Sequence, residues 1–148
     1  MTGGERSSDV RADGAAHDGA AHDGTAYDGA AYDRRWAATG AVLAGLAVAL
    51  GAFGAHALEP LLSEARLATF DTAVRYQAHH ALALLLVSVL PRPVRAAAPW
   101  LLAGTVLFSG SLYLIVALDV SAFGAVAPLG GVLLITGWAI AAWRLLRG

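Results

Sequence analysis

The stretch AAAPWLLAGTVLFSGSLYLIVAL, residues 96–118, runs for 23 residues without a charged side chain. A helix needs about 20 apolar residues to cross the hydrocarbon core of a bilayer, and runs of ~18 or more read as candidate spans. Two more runs of this kind flank it. Residues 36–58, between Arg35 and Glu59, number 23, and residues 120–143, between Asp119 and Arg144, number 24. A fourth run, residues 76–91, numbers only 16. It reaches spanning length if Thr72–Arg75 form its first turn and the arginine extends its charge toward the headgroups. The sequence therefore predicts an all-α fold, an integral membrane four-helix bundle with spans near 37–58, 72–91, 97–118 and 127–147. Pro128 suits the start of the last span. A water-soluble globular fold is excluded.

Composition points the same way. Hydrophobic residues make up 57% of the 148 and charged residues 14%, where a soluble domain carries about 25% charged. Ten basic residues, all arginine, stand against eleven acidic ones. That balance predicts no nucleic-acid partner. The absence of cysteine excludes disulfides, thiolate metal sites and a cysteine nucleophile.

Residues 1–35 read as a separate unit. From Asp13 the chain repeats DGAAH, DGAAH, DGTAY, DGAAY, and ends the series at Asp33. Asp-Gly is a turn former, and a period of five keeps neither a helical nor a strand face. A disordered, cytoplasmic N-terminal tail is expected, followed by a membrane domain over 36–148. The first apolar run is too long for a signal-peptide core of ~7–15 residues, so it is read as a span. With alternating spans, Arg34, Arg35, Arg92, Arg95, Arg144 and Arg147 share one side, and Arg66 and Arg75 the other. The positive-inside rule then places both termini in the cytoplasm of the cell (inner) membrane. Trp36, Trp100 and Trp143 lie at helix ends on the six-arginine side, as interfacial anchors do. Between the first two spans, residues 59–71 read as a short helix in the outer interface.

Two groups of residues carry the candidate chemistry. On the first span, Gly40, Ala44, Ala47, Gly51, Gly54 and Leu58 form a seam of mostly small residues, and Gly130, Leu134, Gly137 and Ala141 form a similar line on the last. Small residues let backbones approach where lipid supplies little hydrophobic drive. The second span begins TAVRYQAHHALA. Asp71, Arg75 and His79 share one stripe of it and Tyr76 and His80 the neighbouring one, with Gln77 a further polar residue of the same half. Ionisable groups at membrane depth are expensive and are functional candidates by default. His56 is expected at a similar outer depth, where it could meet His79 or His80. Structural hydrogen bonding outweighs haem or metal ligation for these histidines, so no metal site is assigned. Asp119 reads as a solvated turn residue.

Four motifs in order then narrow the reading: GAFGAHAL (51–58), FDTAVRYQAHHALALL (70–85), LFSGSLYL (107–114) and APLGGVLLITGW (127–138). Together, over residues 38–145, they resemble the small membrane proteins of domain-of-unknown-function family 423, the YgdD-like and transmembrane-protein-256-like group. The family pattern falls on Gly51, Gly54, His56, Thr72, Tyr76, Gln77, His80, Ser109, Gly110, Pro128, Gly130, Gly131 and Trp138. His79 departs from it, and the Asp-Gly repeats are outside it. The resemblance implies a four-helix membrane fold and no assigned activity.

The expected function is that of a non-enzymatic packing, accessory or oligomeric membrane subunit. Its expected partners are the lipid bilayer and either a second copy or a larger membrane complex; no cofactor is expected. Ion, proton or small-solute permeation along the polar stripe is the first alternative, and a haem- or metal-binding subunit the second.

Overall fold

The computed structural model describes residues 32–147. The tail, including all but the last two residues of the Asp-Gly repeat, lies outside the described residues. Within them the fold is helical, with four long helices: α1 (Arg34–Phe53), α2 (Glu64–Val89), α3 (Ala98–Leu118) and α4 (Ala127–Arg147). With their short flanking turns, α1, α3 and α4 are long and apolar enough to cross a membrane.

Local chemistry sets each boundary. Asp33 caps α1, its carboxylate accepting from the Arg35 and Trp36 amides at 3.0 and 3.4 Å. Arg34 and Arg35 therefore belong to the first helical turn and not to the tail. The Asp33 amide also donates to the Ser88 carbonyl at 2.8 Å, pinning the start of α1 to the end of α2. At its far end α1 widens into a π-helical segment, Gly54–Leu58, closed by the Glu59 amide on the Gly54 carbonyl. Ser63 caps α2, which stops just before Pro91. Asp119 ends α3 in the left-handed conformation, at φ 57°.

The expected interfacial helix over 59–71 does not form as a separate element. Residues 64–71 are the first two turns of α2 itself. The reason is an anchor: Arg66 donates to the Val116 carbonyl and faces Asp119 at 3.7 Å. This ties the start of α2 to the end of α3 and holds it in line with the helix.

The helices pack in chain order, α1 on α2, α2 on α3 and α3 on α4, and among the described residues α1 and α4 share no comparable seam. Small residues set both outer seams. Gly54 meets Phe70 at one end of the α1–α2 seam, and at the other Gly40 lies so close that an added Cβ would stand 2.7 Å from the Ala81 carbonyl oxygen. Ala47 between them is buried, while Ala44 and Gly51 are half-buried. On α4 the buried residues are Gly130, Leu134, Gly137 and Ala141. They face α3, with Gly130 against Phe108, Leu134 against Gly104, and Gly137 against Leu101. Each step down α3 is matched by an equal step up α4, the register of a straight antiparallel pair.

The core gathers at the end of the fold where α2 turns into α3, around Leu84, Val87, Ala97, Ala98 and Leu101. Large apolar side chains also cover the outside: Val48, Ile135 and Leu146 are 74%, 71% and 88% exposed. An apolar surface of this extent needs an apolar solvent. At Gly130 a Cβ would run into the Phe108 backbone, whereas at Gly131 it would meet nothing within 4 Å. Gly130→Ala is expected to destabilise by about 1–3 kcal/mol, and Gly131→Ala to change stability by no more than about 1 kcal/mol. Thermal unfolding of helical signal in detergent measures both.

Candidate functional site

Helix α2 lies between α1 and α3, and its polar residues divide into two faces. Gln77 and His80 point inward and are 4% and 8% exposed. Asp71, Arg75 and His79 are exposed on the outside, and Tyr76 lies at the boundary.

Gln77 is bonded on both ends of its amide. Its Nε2 donates to the Leu43 carbonyl of α1 at 2.9 Å, and its Oε1 accepts from the Tyr113 hydroxyl of α3 at 3.0 Å. Three residues on, His80 joins the fourth helix. Its Nδ1 lies 2.8 Å from the Tyr76 carbonyl and its Nε2 lies 3.4 Å from the Trp138 indole nitrogen of α4. An indole N–H can only donate and a carbonyl can only accept. The network therefore assigns His80 the neutral tautomer with its proton on Nδ1. Two side chains one turn apart on α2 thus reach α1, α3 and α4.

Aromatic rings close around this centre. Tyr76 stacks on His80 at 5.9 Å and meets Phe108 at 4.4 Å, and Phe70 meets Tyr113 at 5.3 Å. Thr105 and Ser111 satisfy their hydroxyls on carbonyls of their own helix. Ser109 does not: its Oγ is buried without a hydrogen-bond partner. It lines a groove of about 230 Å³ between α1 and α3, shared with Gln77 and Tyr113.

His56 is not part of this arrangement. It is exposed in the π-helical segment, next to Gly54, which packs at the level of Phe70. The level of His79 and His80 on α1 is near Leu43, thirteen residues from His56, or about 20 Å at the helical rise. The expected meeting of His56 with either histidine does not occur. Among the described residues no three His, Asp or Glu side chains cluster closely enough to hold a metal ion. Asp119 is a turn residue, as its αL conformation shows, but it also pairs with Arg66. Sequence reasoning missed Tyr113 as the partner of Gln77. The available signal was a lone tyrosine inside an otherwise apolar run, which in lipid needs a partner for its hydroxyl.

Residues 50–131, which hold all of α2 and α3 with Gln77, His80 and Tyr113, match the model of a family described as "Protein of unknown function (DUF423)". The chain belongs to the DUF423 family. It is 46% identical over 105 residues to the UPF0382 membrane protein YwdK of Bacillus subtilis, covering 67% of this chain and 85% of that one. It is 42% identical over 103 residues to the UPF0382 membrane protein SSP2132 of Staphylococcus saprophyticus, covering 67% and 86%. A UPF0382 membrane protein of Staphylococcus epidermidis is 41% identical over 105 residues, covering 68% and 86%. No solved structure matches the chain. This DUF423 chain is therefore a membrane protein of a family without an assigned activity, and Trp138 lies beyond the residues matched.

The Gln77–Tyr113 bond makes a coupling measurable. Interhelical hydrogen bonds in membranes average about 0.6 kcal/mol and reach about 1.7. Gln77→Leu and Tyr113→Phe are each expected to destabilise within that range. The double variant is expected to lose about 0.6 kcal/mol less than the two single losses together, measured by unfolding in mixed micelles.

Proposed function

We propose that this DUF423 protein is a non-enzymatic, four-span subunit of the cell membrane, with both termini cytoplasmic, that assembles through the outward face of α2. Its fourth span is α2. Two observations support that placement. At 26 residues α2 is about 39 Å long, enough to cross. It also runs antiparallel to α1 along the whole seam, from Gly54 against Phe70 to Gly40 against Leu85, so it occupies the same depth as a helix apolar enough to span. The six-to-two division of arginines supports the orientation.

The observation that carries the assembly reading is the exposure of Asp71, Arg75 and His79 on one stripe of α2. Measured from Val89 at the inner end, His79 stands about 15 Å along the helix and Arg75 about 21 Å. In a hydrocarbon core of about 30 Å, His79 is near the middle and faces away from its own fold. Lipid offers it no hydrogen bond, so a protein partner does. The stripe continues inward through Leu82, Leu86 and Val89, all exposed. A second copy fits this face because Asp71 and Arg75 are one turn apart. A two-fold axis along the membrane normal lets the arginine of each copy reach the aspartate of the other. His80 has both ring nitrogens engaged inside the fold, which favours holding the helices together over permeation or haem ligation as the role of the inward residues.

The natural chain contains no cysteine, so single-cysteine variants report cleanly. His79→Cys and Leu82→Cys are expected to form disulfide-linked dimers in oxidised membranes, and Val48→Cys, exposed on α1, is not. A chain that stays monomeric at every position of the stripe, with no co-purifying partner, overturns the assembly reading. Topology has its own test. Glu59→Cys is expected to react with an impermeant thiol reagent added outside intact cells, and Ala96→Cys to be protected; the reverse pattern overturns the orientation.

A further inference from the structure

The inner end of the fold holds a feature that neither the polar centre nor the outward stripe uses. A cleft of about 300 Å³ opens between the turn after α2 and the last turns of α4. It is lined by Pro91, Pro93, Val94, Arg144, Leu145 and Arg147. Four of these are apolar, and the other two present guanidinium groups. Both cations lie over the same indole, with Arg144 Cζ 4.7 Å and Arg147 Cζ 4.4 Å from the centre of the Trp143 ring. Cation–π attraction thus holds two like charges beside one ring. Among the described residues no carboxylate lies within ion-pair distance of either, and the ion pair that does form, Arg66–Asp119, is at the opposite end. The described acid at this end, Asp33, has its carboxylate engaged in capping α1.

Two neighbouring guanidinium groups with no counter-ion among the described residues match the oxygens of a phosphate, to which arginine binds through paired donors. The apolar walls match something more than a phosphate. Trp143 belongs to the tryptophans at this end, which sit at headgroup depth when the helices span. We propose that this cleft binds an anionic phospholipid of the cytoplasmic leaflet. Arg144 and Arg147 donate to the headgroup phosphate, and Pro91, Pro93, Val94 and Leu145 pack against the glycerol and upper acyl chains. The acidic Asp-Gly repeats supply carboxylates too, but only glycine, alanine, threonine, histidine and tyrosine beside them, a poorer match to a proline- and leucine-walled cleft than a lipid. The inference rests on the span reading and is independent of assembly through α2.

The test uses the full chain in a mild non-ionic detergent and follows its thermal midpoint with added phosphatidylglycerol, phosphatidylcholine or inorganic phosphate. Phosphatidylglycerol is expected to raise the midpoint by about 3–5 °C by preferential binding to the folded state, and the other two by less than a third of that. The Arg144→Gln/Arg147→Gln variant is expected to lose the shift. The Arg34→Gln/Arg35→Gln variant removes the same charge from the same end and is expected to keep it. Equal shifts from both lipids, or a shift that survives in the Arg144→Gln/Arg147→Gln variant, overturn the site. A full shift from inorganic phosphate overturns the lipid as its occupant. So does a lipid shift that emerges only when Asp13, Asp18, Asp23 and Asp28 are changed to asparagine, because the chain's own tail would then hold the cleft. Native mass spectrometry of the unmodified chain gives a reading that needs no variant. Preferential retention of phosphatidylglycerol supports the site, and equal retention of the two lipids overturns it.

Discussion

Hydrocarbon gives two apolar helices no reason to prefer each other over lipid. In water, burial of a leucine drives association; among acyl chains the same leucine is already in its preferred surroundings. Contact between spans must then come from backbones close enough for dispersion to accumulate, and from hydrogen bonds that lipid cannot replace. The chain uses both, in different places. Backbone approach dominates the α1–α2 and α3–α4 seams, where Gly40, Gly104, Gly130 and Gly137 admit their neighbours within the space of a missing methyl group. Polar bonds dominate the centre, where Gln77 and His80 link α2 to the other three helices.

This division allows α2 to be the least apolar of the four. A helix in contact with lipid on most sides must be apolar on most sides. Helix α2 has protein on two flanks and carries nine buried residues, so part of its circumference is solvated by protein. Gln77 and His80 are tolerated there because each finds partners on a different helix, and the partners are a carbonyl, a hydroxyl and an indole already in place. Its position between neighbours permits this polarity without requiring it, since α3 also has a helix on each flank and is the most apolar of the four. The same logic isolates Ser109, whose hydroxyl is buried beside Gln77 and Tyr113 without a bond. It is the one described serine or threonine hydroxyl on α3 left in this state, and it faces a groove open to lipid.

Much of this was legible in the residues. Uncharged runs located α1, α3 and α4 because length and hydropathy are one-dimensional properties, and the line Gly130–Leu134–Gly137–Ala141 marked the buried face of α4 because helical period is too. What the sequence could not carry was register between elements. Placing His56 near His79 assumed that both histidines, a few residues from the ends of adjacent spans, shared a depth. The helices disagree in length at that end: α2 begins at Glu64, eight residues before the start at Thr72 expected for it. His56 is therefore level with the first turns of α2 and far from the middle. The same extension erased the separate interfacial helix, since Arg66 reaches across to α3 with residues 64–71 continuing the helix. The pairing of Tyr113 with Gln77 was hidden for a related reason, because 36 residues separate partners that only the fold brings together.

The polar stripe read from the sequence as one unit is thus two. Helical spacing groups Asp71, Arg75 and His79 correctly, and sets Gln77 and His80 on the adjoining face, yet it does not say which face the protein turns inward. The inward pair has all its strong donors and acceptors directed at fixed partners within the chain, which is the condition for holding helices in one register. Among the described residues the outward three have none beyond their own helix, which is the condition for recognising something outside it. A single helix can serve both ends because the two faces are about a quarter-turn or more apart and share no atoms. Altering one set is expected to leave the other geometrically intact, so the stability of the fold and the assembly proposed for α2 are separable by mutation.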